Sequence, residues 1–276
     1  MPSSKVWFIT GASRGFGRVW AEAALARGDK VIATARNPEA LNGLASAHGN
    51  ALLALPLDVT DRNAVFDAIG RGRRHFGRLD VVLSNAGYGY MGALEELEPE
   101  PARASFETNV FGTLWVIQAA APILRAQGSG HVLTVSSIGG VVSFPTGGTY
   151  TATKFAVEAM SEALAGEMAA FGVKVTIIEP GHFTTGFRSA VKSPPAIDAY
   201  DPIRQAVRSS FKPEDFGDPT ATSAAIFAAV DADQPPLRLV LGATTIAKFR
   251  AAYEARLTNW SHWEPISNAA HGARHA

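Results

Sequence analysis

The 276-residue chain contains a tyrosine and a lysine four residues apart, Tyr150 and Lys154, whose side chains and spacing suit acid–base chemistry. On an α-helix, residues at this spacing share a face about 6 Å apart, so the lysine ammonium can stabilise a tyrosine phenolate. Lowering the tyrosine pKa from about 10 toward neutrality takes roughly 3–4 kcal/mol of preferential phenolate stabilisation, which the lysine and a further nearby positive charge could provide. The spacing indicates acid–base chemistry, although many helices carry the same pair by chance on their surface.

Apolar runs rich in β-branched residues alternate with amphipathic segments along the chain. Strands are predicted over residues 6–9, 31–33, 52–57, 79–83, 131–135, 173–178 and 237–241, and helices over 16–27, 38–47, 62–76, 101–126, 150–171, 221–230 and 244–257. Such alternation is typical of right-handed βαβ crossovers. We therefore predict an α/β protein with a doubly wound, Rossmann-like parallel sheet, helices on both faces, and a single domain over 1–276.

One irregular stretch, residues 182–219, contains five prolines and a short helical patch around 203–211. Long loops in compact α/β enzymes are often functional. We predict a substrate lid within the domain; the alternative is an ordinary surface connection.

Composition excludes several classes of function. Lysine plus arginine and aspartate plus glutamate both number 25, so no global field attracts nucleic acid. The absence of cysteine excludes disulfides, thiolate catalysis and cysteine-ligated metals. No apolar window is long enough for a signal peptide or a membrane span. We expect a cytoplasmic protein with no nucleic-acid partner, no membrane partner and no metal.

A glycine-rich turn follows the first predicted strand and opens a helix, with the spacing Gly-x-x-x-Gly-x-Gly. Glycines let the backbone turn tightly and approach a pyrophosphate, while the helix N-terminus offers free N–H groups. The turn predicts a dinucleotide site; a tight connection without a ligand is the alternative. Its candidate binding residues are Gly11, Ser13, Arg14, Gly15, Phe16 and Gly17.

The end of the second strand bears on the choice of dinucleotide. Arg36 stands there without a neighbouring carboxylate, and Arg14 in the glycine turn supplies a second cation. An acidic residue here would favour NAD, whereas arginine suits the 2′-phosphate of NADP. We therefore predict NADP(H), against the alternative that both arginines are solvated surface charges.

Taken together, these elements resemble the short-chain dehydrogenase/reductase family over nearly the full length of the chain. The matching motifs occur in family order: Thr10-Gly11-x-x-x-Gly15-x-Gly17, Asp58, Asn85-Ala86-Gly87, Asn109, Ser137, Tyr150-x-x-x-Lys154 and Pro180-Gly181. Ser84 departs from the family pattern, which often has asparagine there, and we expect this polar exchange to be tolerated.

The resemblance implies four catalytic residues. Tyr150 would be the general acid or base, and Lys154 would bind the nicotinamide ribose and lower the tyrosine pKa. Ser137 would polarise the substrate oxygen; adjacent Ser136 is disfavoured because neighbouring strand residues point in opposite directions. Asn109 would anchor a water chain that relays protons to the lysine.

The resemblance also implies further cofactor contacts. Asp58 would contact the adenine amino group, unless it only caps the next helix. Thr185 would contact the nicotinamide carboxamide. The remaining candidates are Val59, Asn85, Ala86, Gly87, Pro180, Gly181 and Phe183, together with Tyr150 and Lys154.

The function predicted from these features is an NADPH-dependent carbonyl reductase, reversible as an alcohol dehydrogenase. Expected pocket walls at 88–91, at 141–146 and at Phe183 and Phe187 are mostly apolar, which suits a lipophilic small-molecule carbonyl or alcohol. The alternatives are a catalytically silent NADP(H)-binding regulatory protein and an epimerase or dehydratase. By resemblance, helices 101–126 and 150–171 would form a homodimer or homotetramer interface.

Three other groups of residues are expected to carry no chemistry. We expect Glu95, Glu96, Glu98 and Glu100 to open a solvated helix. Trp260 and Trp263 follow the last predicted helix and would cap the pocket or contact another subunit. His271 and His275 have the spacing of metal ligands on a helix but lie in a terminal tail of small residues, where disorder is the expectation.

Overall fold

The computed structural model describes residues 4–272, which contain one parallel sheet of seven strands. The strands are β1 (Val6–Ile9), β2 (Lys30–Ala35), β3 (Leu52–Pro56), β4 (Val81–Ser84), β5 (Gly130–Val135), β6 (Val173–Pro180) and β7 (Arg238–Leu241). Their order across the sheet is β3-β2-β1-β4-β5-β6-β7, and every neighbouring pair is parallel. The predicted doubly wound α/β fold is confirmed. The strand order reverses between β1 and β4, where such sheets bind ligands.

Helices pack on both faces of this sheet. They are α1 (Gly15–Ala26), α2 (Asn42–His48), α3 (Arg62–Phe76), α4 (Pro99–Phe106), α5 (Gly112–Gln127), α6 (Gly148–Met168), α7 (Asp201–Ser209), α8 (Thr222–Asp231) and α9 (Thr245–Ala269). Neighbouring Trp7 and Phe8 of β1 are both fully buried, in two separate apolar layers on opposite faces. Strands buried on both sides explain why the sequence shows continuous apolar runs rather than alternation.

Two predicted helices are divided in the structure. The 38–47 segment is a 3₁₀ turn, Pro38–Leu41, followed by α2. The 101–126 segment consists of α4 and α5 joined by a π-helical turn, Glu107–Phe111, which contains Asn109. A π turn inserts one extra residue into a helix and commonly marks a functional position. Apolar spacing alone does not reveal such an insertion.

The last helix is longer than predicted. It continues to Ala269, and Trp260 and Trp263 lie on it with exposed fractions of 61% and 54%. The expectation that they cap the pocket is therefore wrong, because this part of α9 extends away from the body of the protein with its residues exposed. His275 lies outside the described residues. Among residues 4–272, none of the helices has both the length and the apolar character needed to cross a membrane.

Candidate active site

The glycine-rich turn after β1 brings backbone atoms unusually close together. Gly11 and Gly15 have φ angles of +67° and +58°, a region that favours glycine. A Cβ atom at Gly17 would lie 2.5 Å from the Gly11 carbonyl oxygen. Arg14, at the N-cap of α1, makes no side-chain capping bond, so the first N–H groups of the helix face the turn. The turn is shaped to bring backbone N–H groups to an anion.

Asn85, after β4, braces this turn. Its side-chain amide donates hydrogen bonds to the carbonyls of Thr10 and Gly11 at 2.9 and 3.2 Å. The Thr10 hydroxyl in return accepts hydrogen bonds from the backbone N–H groups of Asn85 and Ala86. Thr10 was not among the predicted site residues, although it is part of the quoted motif.

The two predicted arginines lie at one cavity. Arg14 and Arg36 line a space of about 260 Å³ together with Ser13, Asn37 and Ala40. Both arginines are exposed, and neither forms an ion pair with a carboxylate within residues 4–272. Planar guanidinium groups at such a place match the geometry of a phosphate group.

Asp58 follows β3 and is exposed. Its carboxylate accepts hydrogen bonds from the N–H and hydroxyl of Thr60 at 3.0 and 2.8 Å. The alternative that Asp58 caps the next helix is wrong, because Asp61 caps α3 through the N–H of Ala64. Val59 is buried against Gly112 at the start of α5.

Tyr150, Lys154 and Ser137 lie close together, all at least nine-tenths buried. Tyr150 and Lys154 lie one turn apart on α6, with the Lys154 Nζ atom 5.9 Å from the centre of the tyrosine ring. Ser137 follows β5, and its Oγ atom accepts a hydrogen bond from the N–H of Gly139. A Cβ atom at Gly139 would touch the Tyr150 ring at 3.3 Å and the Ser137 Oγ atom at 3.5 Å. The two hydroxyl-bearing side chains therefore border the same point.

Asn109 is almost fully buried in the π turn. Its side-chain oxygen accepts a hydrogen bond from the N–H of Tyr88, and its amide donates to Tyr88 O and Thr153 Oγ1. Asn109 has no direct hydrogen bond to Lys154, whose ammonium donates to Val135 O at 2.8 Å. Gly87 lies between them: a Cβ there would be 3.0 Å from Asn109 Oδ1 and 3.7 Å from Lys154 Nζ.

Burial dominates the ionisation of the tyrosine and the lysine. It raises the pKa of Tyr150 to about 12, opposed by the Ser137 hydroxyl. It lowers the pKa of Lys154 to about 8, opposed by the carboxylate of Glu158. Among the protein's own groups, desolvation of the phenolate is the largest effect, and the lowering of the tyrosine pKa by Lys154 together with an oxidised cofactor stays a prediction. Within the protein alone, Tyr150 is a protonated acid.

The segment after β6 reaches back to the glycine turn. Pro180 ends the strand, and Gly181 donates its N–H to Leu241 O. The Phe183 ring packs edge-to-face on Phe16, with ring centres 5.3 Å apart. A Cβ at Gly15 would contact the backbone oxygen of Thr185 at 3.4 Å. All the site residues predicted after β1, β4, β5 and β6 are thus found at one edge of the sheet.

The 182–219 segment is attached to the body at several points. Tyr90 of the body and Lys192 of the segment form a parallel bridge, whereas Phe183 and Gly217 bridge the two ends of the segment to each other. Glu96 accepts a hydrogen bond from the N–H of Ile197 at 2.7 Å and forms an ion pair with Arg204. The expectation of a solvated glutamate cluster is therefore wrong for Glu96, whose side chain is only 2% exposed.

An aromatic contact and a cavity lie beside this segment. Phe187 packs against the Tyr150 ring, with ring centres 5.3 Å apart. A second cavity of about 290 Å³ lies between α7 and the body, bordered by Met91 and Thr146 but not by Tyr150. Tyr90, expected as a pocket wall, is instead buried, and its hydroxyl accepts a hydrogen bond from the N–H of Glu98.

Sequence reasoning missed a buried polar cluster directly behind Lys154. It contains Ser136, Glu158, Glu179 and Arg238. Glu158 is four residues after Lys154, so the helical spacing that identified Tyr150 could also have identified it. No group of three or more potential metal ligands occurs in the part of the chain that the structure describes.

Comparisons with known proteins agree with this geometry. A family profile described as short chain dehydrogenase matches residues 5–196. Oxidoreductase BOA17 of Botryotinia fuckeliana is 38% identical over 271 residues, which cover 96% of this chain and 99% of that protein. The 3-ketodihydrosphingosine reductase of Bacteroides thetaiotaomicron is 39% identical over 183 residues, 66% of this chain and 65% of that protein.

Solved structures are similar over most of the chain. A short-chain dehydrogenase from Streptomyces avermitilis has a TM-score of 0.90 and 41% identity, with 98% of this chain and 99% of that chain covered. A Burkholderia phymatum homologue in complex with NAD has a TM-score of 0.81 and 25% identity over 93% and 95% of the two chains. A Burkholderia cenocepacia homologue in complex with NADP has a TM-score of 0.75 and 28% identity over 94% and 97%.

Proposed function

Because the chain belongs to the short-chain dehydrogenase/reductase family, we propose that this oxidoreductase depends on NADPH and interconverts a carbonyl compound and its secondary alcohol. One observation carries this proposal: buried Tyr150, Lys154 and Ser137 meet beside a glycine turn at the carboxyl edge of the sheet. A protein that only bound the dinucleotide would have no need of a buried acid next to a hydroxyl donor.

The residues around the turn fit NADP(H). A Cβ at Gly17 would fill the cradle that the pyrophosphate needs, and the cavity bordered by Arg14 and Arg36 suits the 2′-phosphate. One charge-assisted contact is worth about 1.5–3 kcal/mol, which favours NADP over NAD by roughly ten- to a hundredfold. When bound, NADP(H) supplies or accepts the hydride.

Tyr150 handles the proton. Its high pKa keeps the phenol protonated at neutral pH, so it can donate to the substrate oxygen during reduction. The Ser137 hydroxyl, bordering the same point, donates a hydrogen bond to that oxygen and stabilises its developing charge. Lys154 binds the ribose hydroxyls of the cofactor. Buried Asn109 donates hydrogen bonds to Tyr88 O and Thr153 Oγ1 and so holds both residues in place. Asn109 also anchors a water chain that leads to the lysine.

The other predicted residues hold the cofactor from the remaining sides. Asp58 and Val59 would hold the adenine, and Asn85 supports the turn. The segment after β6 would hold the nicotinamide. The residues proposed for this role are Pro180, Gly181, Phe183 and Thr185 at and after the end of β6, together with Ala86 and Gly87 after β4.

The proposed substrate is lipophilic. Phe187 packs on Tyr150 and places an apolar ring beside the proposed proton donor. Residues 182–219 form the lid, within a single domain over 1–276. The Bacteroides relative is named 3-ketodihydrosphingosine reductase, and this name supports a ketone as the substrate.

The proposed assembly is a homodimer or homotetramer. Phe111, before α5, and Phe155, on α6, are 39% and 38% exposed, which places large apolar rings on the two helices predicted to meet. Sedimentation equilibrium of the full chain tests this, since a monomer at micromolar concentration would contradict it. Cytoplasmic location, and the absence of metal, nucleic-acid and membrane partners, stay predictions.

The test is a titration of the purified protein with NADPH and NADH, followed by nicotinamide absorbance with lipophilic ketones, aldehydes and 3-oxoacyl thioesters. NADPH-selective binding with turnover supports the proposal. Binding without turnover of any panel member favours the silent regulatory protein, and redox-neutral conversion of a substrate favours an epimerase or dehydratase. Failure to bind either cofactor overturns the site assignment.

A further inference from the structure

Two carboxyl groups lie in contact in the interior, directly behind the lysine of the site. Glu158 is one helical turn beyond Lys154 on α6, and Glu179 belongs to β6. Their side chains are 8% and 1% exposed. Two ionised carboxylates at such a place would repel each other without water to screen them.

One oxygen of each carboxyl group in this pair lacks a hydrogen-bond partner, and the neighbouring Ser136 hydroxyl can donate to Glu158 but not to both. Among the described residues, four buried side-chain atoms have no partner: His131 Nδ1, Ser136 Oγ, Glu158 Oε1 and Glu179 Oε1. Three of these four atoms fall in the cluster behind Lys154. The two glutamate side chains are within hydrogen-bonding reach of each other. A single proton donated from one carboxyl to the other gives both a partner.

The surrounding charges decide which glutamate holds the proton. Arg238 of β7 donates from Nε to Glu158 Oε2 at 3.2 Å and from Nη2 to exposed Glu162 at 2.7 Å. Its Nε atom is 3.5 Å from Glu179 Oε1, without a hydrogen bond. Burial raises the pKa of Glu158 too, but Arg238 and Ser136 oppose that shift and favour Glu158 as the ionised member. Burial and the Glu158 charge raise the pKa of Glu179 to about 8.

The charge on Glu158 acts on Lys154. No carboxylate of the described residues lies within ion-pair distance of the Lys154 ammonium, whose hydrogen bond goes to Val135 O. Burial lowers the pKa of this lysine, and the Glu158 carboxylate is the group that opposes the shift. The charged groups facing Glu158 are thus Lys154 and Glu162 on its own helix, Glu179 on β6 and Arg238 on β7.

We propose that Glu158 and Glu179 share one proton, so that the pair keeps a single negative charge behind Lys154 and holds its ammonium protonated. Both are positioning residues that act through Lys154. Their effect on turnover rests on the proposed function, whereas the shared proton does not.

The direct test is a pH titration by ¹³C NMR of the full chain, labelled at the glutamate carboxyl and lysine ε carbons. In the unsubstituted protein we expect one carboxyl to titrate near pH 8, and this signal to vanish in Glu179→Gln. Glu158→Gln should lower the titration midpoint of the Lys154 amine by about one pH unit. The Lys154 signal is identified as the one that is missing from the spectrum of Lys154→Arg. Glu167→Gln, an exposed position on the same helix, should change neither.

Two results would overturn the proposal. One is that every glutamate titrates below about pH 6, as ordinary carboxyls do. The other is an unchanged Lys154 midpoint in Glu158→Gln. If that variant does not fold, Glu158→Asp retains the charge at a greater distance and should give a smaller shift in the same direction; no shift in a folded Glu158→Asp protein would contradict the proposal.

A kinetic test then separates positioning from structure. The alkaline limb of the kcat/KM profile should move to lower pH in Glu158→Gln and move back toward its original position in Glu158→Asp. A uniform loss of activity at all pH values, with the limb unmoved, would show a merely structural role. Absence of turnover in the unsubstituted protein would contradict the proposed function and leave the NMR result standing.

Discussion

The carboxylate of Glu96 meets the guanidinium of Arg204 in a nearly buried ion pair, although 108 residues separate them in the sequence. Glu96 also accepts hydrogen bonds from the backbone N–H groups of Ala93 and Ile197. These backbone hydrogen bonds, that from Ile197 first, hold the pKa of Glu96 below its usual range. One side chain thus joins the loop after β4 to the proposed lid.

Glu96→Gln should loosen this attachment, because the neutral amide cannot replace a carboxylate beside Arg204. We expect several-fold faster hydrogen exchange in residues 193–209 and a larger change in KM than in kcat. Glu100→Gln is the matched control, since Glu100 is an exposed glutamate at the start of α4 and does not contact the lid. Equal exchange in the two variants would mean that the ion pair does not hold the lid.

Gly17→Ala should distort the glycine turn, since the added Cβ would lie 2.5 Å from both Gly11 O and Asn85 Nδ2. We expect a loss of about 1–3 kcal/mol in the free energy of unfolding and at least tenfold weaker dinucleotide binding. Gly166→Ala, in open space on α6, should instead stabilise the protein by about 0.5–1 kcal/mol. Urea unfolding and cofactor titration measure both. Unchanged binding in Gly17→Ala would contradict the pyrophosphate cradle.

Arg36→Ala should weaken NADPH binding by roughly ten- to a hundredfold and leave NADH binding nearly unchanged, because only NADPH carries the 2′-phosphate. Arg73→Ala, an exposed arginine on α3, should alter neither. Arg36→Asp should go further and shift the preference toward NADH. If the preference is unchanged in both Arg36 variants, Arg14 or another group selects the phosphate.

His131 should make the protein sensitive to acid. Burial lowers its pKa from 6.5 to about 4. The Thr176 hydroxyl donates its one proton to Pro236 O, so it can only accept a hydrogen bond from His131. The neutral His131 ring therefore carries its proton on Nε2 and donates it to Thr176, and Nδ1 has no partner among the described residues. The neutral ring contributes stability that is complete above pH 6.5 and lost as the pH falls through 4, in total about 3 kcal/mol.

His131→Gln removes this titration while keeping an amide donor for Thr176. Its free energy of unfolding should therefore fall less steeply between pH 6.5 and 4 than that of the unsubstituted protein. His75→Gln, at an exposed position on α3, serves as the control. Parallel slopes for all three proteins would show that His131 does not stay neutral when folded.

The sequence predicted those parts of the molecule that depend on local pattern. The strands, the glycine turn and the Tyr150–Lys154 spacing follow from short-range periodicity and from the rule that parallel strands end at one edge. Glu96 is buried against Arg204, and Glu179 is buried against α6 and β7. These partners are distant in the sequence, so the residues next to Glu96 and Glu179 in the chain do not reveal their burial. The exposed end of α9 was missed for the opposite reason: Trp260 and Trp263 are mostly exposed, so no buried face imposes an apolar period there.

The measurement that tests the central claim most directly is NADPH oxidation by the unsubstituted protein and by Tyr150→Phe with the same lipophilic ketone. Phenylalanine removes only the hydroxyl and keeps an aromatic ring packed against Phe187. Loss of the phenolic proton donor should therefore lower kcat by at least about a hundredfold, while NADPH affinity and the unfolding temperature stay nearly unchanged. Undiminished turnover in Tyr150→Phe would contradict Tyr150 as the acid.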